Sequence, residues 1–147
     1  MGAEAAMARF GARRREAPAP VIDHRRFGTV RASFHPESAT FLWECLDLVP
    51  TPRGLADLEF EAGAWGPTAQ HEVQLDDIVA NLDGFSKAAA RLLKATFGQT
   101  PALEWQGARL TDRAGTFQLH FWCDTGQEQL ITVSFEQSQP VRVTVHG

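Results

Sequence analysis

Residues 115–146 alternate apolar and polar side chains in three successive runs, and this constrains the fold more than any other feature. Phe117, Leu119, Phe121 and Cys123 interleave with Gln118, His120, Trp122 and Asp124. Gln129, Ile131, Val133 and Phe135 interleave with Leu130, Thr132, Ser134 and Glu136, and Val141, Val143 and Val145 with Arg142, Thr144 and His146. Side chains of a strand point to opposite faces in turn. Three antiparallel strands follow, with one face on a core and the other open to water or a partner. Aligning the apolar residues pairs Phe121 with Ile131, Leu119 with Val133 and Phe117 with Phe135, around a loop at Thr125-Gly126-Gln127. It also pairs Phe135 with Val141, Val133 with Val143 and Ile131 with Val145. The polar face then carries three rows: Trp122, Leu130, His146; His120, Thr132, Thr144; and Gln118, Ser134, Arg142.

The rest of the chain supplies two hairpins and a helix. Residues 27–34 and 40–48 read as a hairpin around His35-Pro36-Glu37-Ser38. Its second strand is apolar on both faces, with Phe41, Trp43 and Cys45 one way and Leu42, Leu46 and Leu48 the other, so it reads as a strand covered on both sides. Residues 49–54 read as a loop. Leu55–Ala62 and Ala69–Leu75 read as a second hairpin, with Ala56, Leu58, Phe60 and Ala62 facing in against Ala69, His71, Val73 and Leu75. This places Glu59 opposite Glu72, with Asp57 and Glu61 beside them, an arrangement that like charges disfavour. Asp76–Phe97 reads as the one long helix, with an apolar stripe from Leu75 to Phe97, Asp76 as N-cap and Gly98 just beyond its end. Asp83-Gly84 marks a kink or a break into two. Residues 103–112 read as a strand leading into the meander. The fold class is α+β: a mainly antiparallel sheet of about eight strands with one helix on one face, in the order ββββαββββ. The expected core includes Leu119, Phe121, Ile131, Val133 and Val143, with Leu82, Leu92 and Leu93 of the helix.

Charge divides the chain. Residues 1–31 hold seven arginines against Glu4, Glu16 and Asp23, which is +4. Residues 32–147 hold the other 15 acids and seven bases, which is −8. Residues 1–26 therefore read as a flexible basic arm, a short helix over Met1–Glu16 followed by extended Ala17–Pro20. Residues 27–147 read as a single domain. An acidic domain does not suit nucleic acid, whose phosphates need Lys and Arg contacts. It suits a basic protein partner, although solubility alone also accounts for such a charge. No apolar run approaches the roughly 18 residues of a membrane span, and Glu16 and the prolines after Arg13-Arg14 do not make an export signal. The expected compartment is the cytoplasm, with no membrane partner.

No catalytic motif stands out. G-x-S-x-G, G-x-G-x-x-G and Walker loops do not occur, and Ser134 has no partner in a recognised pattern. Cys45 and Cys123 lie in apolar strand patterns without metal-ligand spacing. No cofactor, metal or catalytic residue is assigned. His71 reads as a core or edge histidine. The candidate partner-binding residues are Asp57, Glu59, Glu61 and Glu72 of the acidic hairpin, Trp65 in its Gly-flanked loop, and His120, Trp122 and His146 of the polar meander face. Trp and Arg are enriched at interface centres. Trp65 either folds back on the core, the slightly favoured reading, or projects as an anchor.

Phe27-Gly28 opens the first strand, Trp65-Gly66 precedes a strand and a helix, and Gly115-Thr116-Phe117 starts the closing meander. In size and element order, residues 27–147 resemble small bacterial α+β proteins, some of them suspected immunity proteins of toxin systems. The resemblance implies a non-enzymatic protein-binding domain that docks on a basic toxin, as a monomer or homodimer. The alternatives are a small enzyme using the polar face of the C-terminal sheet, or a homodimeric structural or adaptor module.

Overall fold

A computed structural model describes residues 20–35, 40–124 and 128–146. The helix expected over Met1–Glu16, the turn at residues 36–38 and the loop at 125–127 lie outside them. In chain order the elements are β1 (Val21–His24), β2 (Gly28–His35), β3 (Thr40–Cys45), β4 (Val49–Thr51) and β5 (Gly54–Ala62). Helices α1 (Ala69–Ala80) and α2 (Leu82–Phe97) follow, then β6 (Ala102–Leu110), β7 (Phe117–Asp124), β8 (Glu128–Glu136) and β9 (Gln139–His146). The nine strands form one sheet in the order β1-β2-β3-β5-β6-β7-β8-β9, with β4 paired to β5 off that path. All pairings are antiparallel except β5 with β6, which run parallel. A parallel pair needs a crossover connection. The two helices provide it.

The architecture is α+β as expected, with corrections. Five strands precede the helical part, and there are two helices rather than one. Residues 21–24, within the segment read as an arm, pair with β2. Residues 49–51, read as loop, pair with β5. β3 ends at Cys45 and is covered on one side: Trp43 and Cys45 are buried, while Leu46 and Leu48 are exposed.

The second hairpin does not form, because residues 69–75 are the start of α1. Ala69, His71, Val73 and Leu75 alternate like a strand, but the buried residues are His71, Gln74, Leu75 and Ile78, which is helical spacing. Val73 is exposed. Gln74 can face the interior because its amide is fully used. Its Oε1 accepts from the Thr111 N–H at 2.8 Å, and its Nε2 donates to the carbonyls of Arg113 and Thr116 at 2.8 and 3.0 Å. The N-cap is Thr68, not Asp76. Its N–H donates to His71 Nδ1 at 3.0 Å, and His71 Nε2 donates to the Glu61 carbonyl at 2.9 Å. His71 thus takes the place that Glu or Gln holds in a capping box. The helices part at Asn81, whose side chain donates to the Asp77 carbonyl at 2.9 Å. Gly98 ends α2 at φ 81°, a left-handed position that favours glycine.

The core lies between the helices and one face of the sheet. Leu119, Phe121, Ile131 and Val133 are buried, as are Leu82 and Leu93, while Val143 and Leu92 pack at its margin. Phe85 of α2 meets Phe117 and Phe135 edge-on, at centroid distances of 5.2 and 5.3 Å. The meander register agrees with the expected one from Phe117↔Phe135 to Phe121↔Ile131 and at Val133↔Val143 and Ile131↔Val145. It departs at Phe135, which pairs with Pro140 and not Val141. Gln137 and Ser138 make a two-residue turn with φ of 51° and 61°, the mirror-image type that suits hairpins. Val141 is left in a bulge and is exposed.

Candidate functional site

The polar face of the sheet gathers residues from both halves of the chain. The register Glu59↔Arg109↔Gln118↔Ser134↔Arg142 defines one row, and Asp57↔Gly107↔His120↔Thr132↔Thr144 the next. A bulge between Trp105 and Gly107 brings β6 into this register. At Gly107 a Cβ would stand 1.9 Å from the Asp57 carbonyl oxygen, so only glycine permits this approach of β5 to β6. Gly107 sets Asp57 and His120 two strands apart in the same row. The result is a depression of about 480 Å³ lined by strands β5 to β9, with Asp57, Glu59, Arg109, His120, Thr132 and His146 in its walls.

Four of these groups line up with Arg109 in a chain of hydrogen bonds that includes one longer contact between His120 and Glu59. Arg109 Nε donates to Glu59 Oε1 at 2.9 Å, and His120 Nε2 stands 3.5 Å from the same oxygen. His120 Nδ1 lies 2.8 Å from Thr132 Oγ1, which lies 2.7 Å from His146 Nε2. Burial raises the Glu59 carboxyl, but the hydrogen bonds from His120 and Arg109 and their charges outweigh it and hold it below the ordinary value. Glu59 is therefore an ionised acceptor, and this sets the protons along the chain when the rings are neutral. His120 donates from Nε2, so its Nδ1 accepts the Thr132 hydroxyl proton. Thr132 then accepts from His146 Nε2, which leaves His146 Nδ1 an acceptor without a donor among the described residues.

Asp57 behaves in the opposite sense. Its carboxyl is raised, first by partial burial and then by the charges of Glu59 and Glu44, against the pull of His120. Glu44 lies directly across from Glu59 in the β3–β5 register. Arg31 pairs with Glu44 at 2.9 Å and Arg109 with Glu59. The Asp57 side chain makes no hydrogen bond or ion pair among the described residues.

Of the expected partner-binding residues, the structure brings Asp57, Glu59, His120 and His146 together. Trp122 borders them in the row Glu104↔Trp122↔Leu130↔His146 and is 41% exposed. Glu61 lies farther along β5, beside a smaller depression. Glu72 belongs elsewhere: it is on α1, with Arg26 at 3.9 Å and His24 at 4.0 Å. The Glu59–Glu72 juxtaposition is thus replaced by Glu59–Glu44. Trp65 projects, at 92% exposed, rather than folding back. Arg109, the nearest charged partner of Glu59, carries no sequence signal, because the parallel β5–β6 pairing that joins them leaves no local pattern. Thr132 was placed in the right row, but its link to two histidines depends on side-chain geometry.

Other groups are quieter. Cys45 and Cys123 are free and buried. Burial, with the charge of Asp57, pushes the Cys45 thiol up to about 12, and burial with Asp124 raises Cys123, so neither supplies a thiolate at neutral pH. Among the described residues no group of three or more His, Cys, Asp or Glu is placed to hold a metal, and no helix is long and apolar enough to cross a membrane. No family model, curated protein or solved structure matches the chain.

Proposed function

We propose that the chain is a protein-binding module, of the kind that neutralises a toxin by docking on it, and that a basic group of the partner seats beside Asp57. One observation carries this reading. Glu44, Asp57 and Glu59 share the open sheet face, Arg31 and Arg109 neutralise two of them, and Asp57 has no ion pair or hydrogen bond among the described residues. An ammonium or guanidinium group placed there relieves repulsion among carboxylates, and complementary charge of this kind governs encounter rate and register. Titration of the ¹⁵N-labelled protein with a lysine hexapeptide tests it. Saturable shifts should centre on Asp57, Gly107 and His120 and disappear in Asp57→Asn. Shifts spread over every acidic patch, or unchanged in the variant, would sink the proposal.

A second reading, a small enzyme using this face, is favoured by the Glu59–His120–Thr132 chain. A hydroxyl whose proton is directed at an imidazole, itself held by a carboxylate, is the arrangement of an activated nucleophile. An activated ester such as p-nitrophenyl acetate separates the readings. The enzyme reading requires an acetyl adduct on Thr132, lost in Thr132→Val. Docking requires none.

A further inference from the structure

The row that holds Glu59 and Arg109 continues through Gln118 and Ser134 to Arg142. Arg113, from the segment after β6, closes the same end, and Arg113 and Arg142 both line a second depression of about 160 Å³. This depression adjoins the first, with Arg109 and Gln118 in both walls. At roughly 30 Å³ per water it holds about five waters, the space of a carboxylate or phosphate group.

Two of its arginines have unpaired side chains among the described residues. Arg26, Arg31, Arg53 and Arg109 each pair with a carboxylate. The guanidiniums of Arg113 and Arg142 make no ion pair or hydrogen bond among the described residues, although Glu61 and Glu136 line the same depression. Ser134 adds an independent observation. It is only 8% exposed, its Oγ accepts from Gln118 Nε2 at 3.4 Å, and no hydrogen bond among the described residues uses its own proton. That proton can turn to an acceptor placed in the depression. The Arg113 backbone is also fixed: its carbonyl accepts from Gln74, and its N–H donates to Thr111 Oγ1 at 3.1 Å. Two unpaired guanidiniums and a buried hydroxyl, on an anchored frame, form a donor set for an oxyanion.

We propose that Arg113, Arg142 and Ser134 form an oxyanion seat that takes a carboxylate of the docking partner, next to the cation seat at Asp57. The proposal deepens the docking reading by requiring the partner to present an acidic group beside a basic one. Free phosphate could use the same donors, so the test distinguishes the two sources. The Nε–Hε signals of Arg113 and Arg142 are followed during titration with sodium acetate, sodium phosphate and, at matched ionic strength, sodium chloride.

Saturation by acetate supports the carboxylate seat, and Arg142→Gln should then weaken it about tenfold, the scale of one hydrogen bond to a charged group. Ser134→Ala should weaken it less, and provides the check if Arg142→Gln perturbs the edge strand. Saturation by phosphate alone overturns the carboxylate assignment. Shifts that follow ionic strength equally in chloride, or that neither variant changes, overturn the seat. Asp57→Asn should leave the acetate response unchanged, so failure of the cation seat is recognised separately from failure of this one.

Discussion

Glu59 and Asp57 are two residues apart on one strand face, yet neutralising them should move stability in opposite directions. Glu59 accepts from Arg109 and faces His120, with its side chain 25% exposed. A hydrogen bond to a charged group contributes about 1.5–3 kcal/mol when well shielded, and surface pairs contribute about 0–1 kcal/mol. The half-buried Arg109 bond falls between, at about 1.5 kcal/mol, and the longer His120 contact adds less. Against this stands repulsion from Glu44 and Asp57, at about 0.2–1 kcal/mol for a directly opposed pair. The net is a loss of about 1 kcal/mol for Glu59→Gln at pH 7. The juxtaposition with Glu72 expected from sequence would have made the same change neutral or stabilising.

The pH dependence follows from the direction of the shift. The folded-state carboxyl of Glu59 is held below its ordinary value of 4.5. Its stabilisation is present above that value and is lost as pH falls through the folded-state value. The gap between wild type and Glu59→Gln should therefore close in acid. Asp57, raised in the folded state, disfavours the fold when ionised. Asp57→Asn should leave stability at pH 7 unchanged or higher. Urea unfolding of the three proteins at pH 7 and pH 3, with a common slope, reads this directly. If Glu59→Gln proves as stable as wild type at pH 7, or Asp57→Asn the less stable of the two variants, the charge assignment of the site is refuted.

Three further outcomes are expected. Leu119→Ala, at a fully buried position, should cost about 2–5 kcal/mol in urea unfolding; a loss near 0.5 kcal/mol would invert the assignment of sheet faces. Gln74→Met should cost about 1–3 kcal/mol, because the Thr111 N–H loses its acceptor and the Arg113 carbonyl its closer donor, while the single Thr111 hydroxyl proton stays with the Thr116 carbonyl; stability equal to wild type would show that the Gln74 amide does not hold this segment. Trp65→Ala should change stability by no more than about 0.5 kcal/mol, as for other exposed positions; a larger loss in thermal unfolding would mean that the indole packs on the fold.

The meander was legible because its cues are local. Two-residue periodicity in Phe117–Cys123 and Gln129–Phe135 sets both face and register, and the rows containing His120, Thr132 and His146 follow from them. Residues 69–75 misled for an equally physical reason. Ala69, Val73 and Leu75 alternate there with His71 between them in the same register, while the residue that marks the helical stripe, Gln74, is polar. Its burial depends on Thr111, Arg113 and Thr116, which lie 37 to 42 positions away. That one helical turn carried Glu72 to the other side of the sheet and left Glu59 with Glu44 and Arg109 as neighbours. A local bulge at Val141 likewise lay below the resolution of an alternating pattern.

The site depends on the one pairing that the chain cannot announce locally. The carboxylates Asp57 and Glu59 come from β5, before the helices, and the histidines His120 and His146 from β7 and β9, after them. Only β6 lies between the two groups. If β6 carried a side chain at position 107, the Asp57 carbonyl would be pushed away and the parallel pair would open. Arg109, two residues on, would then lose its reach to Glu59, leaving His120 alone to oppose the burial of that carboxylate. Gly107 therefore joins fold and function at one backbone position. It permits the contact between the two halves on which the Glu59–Arg109 pair depends.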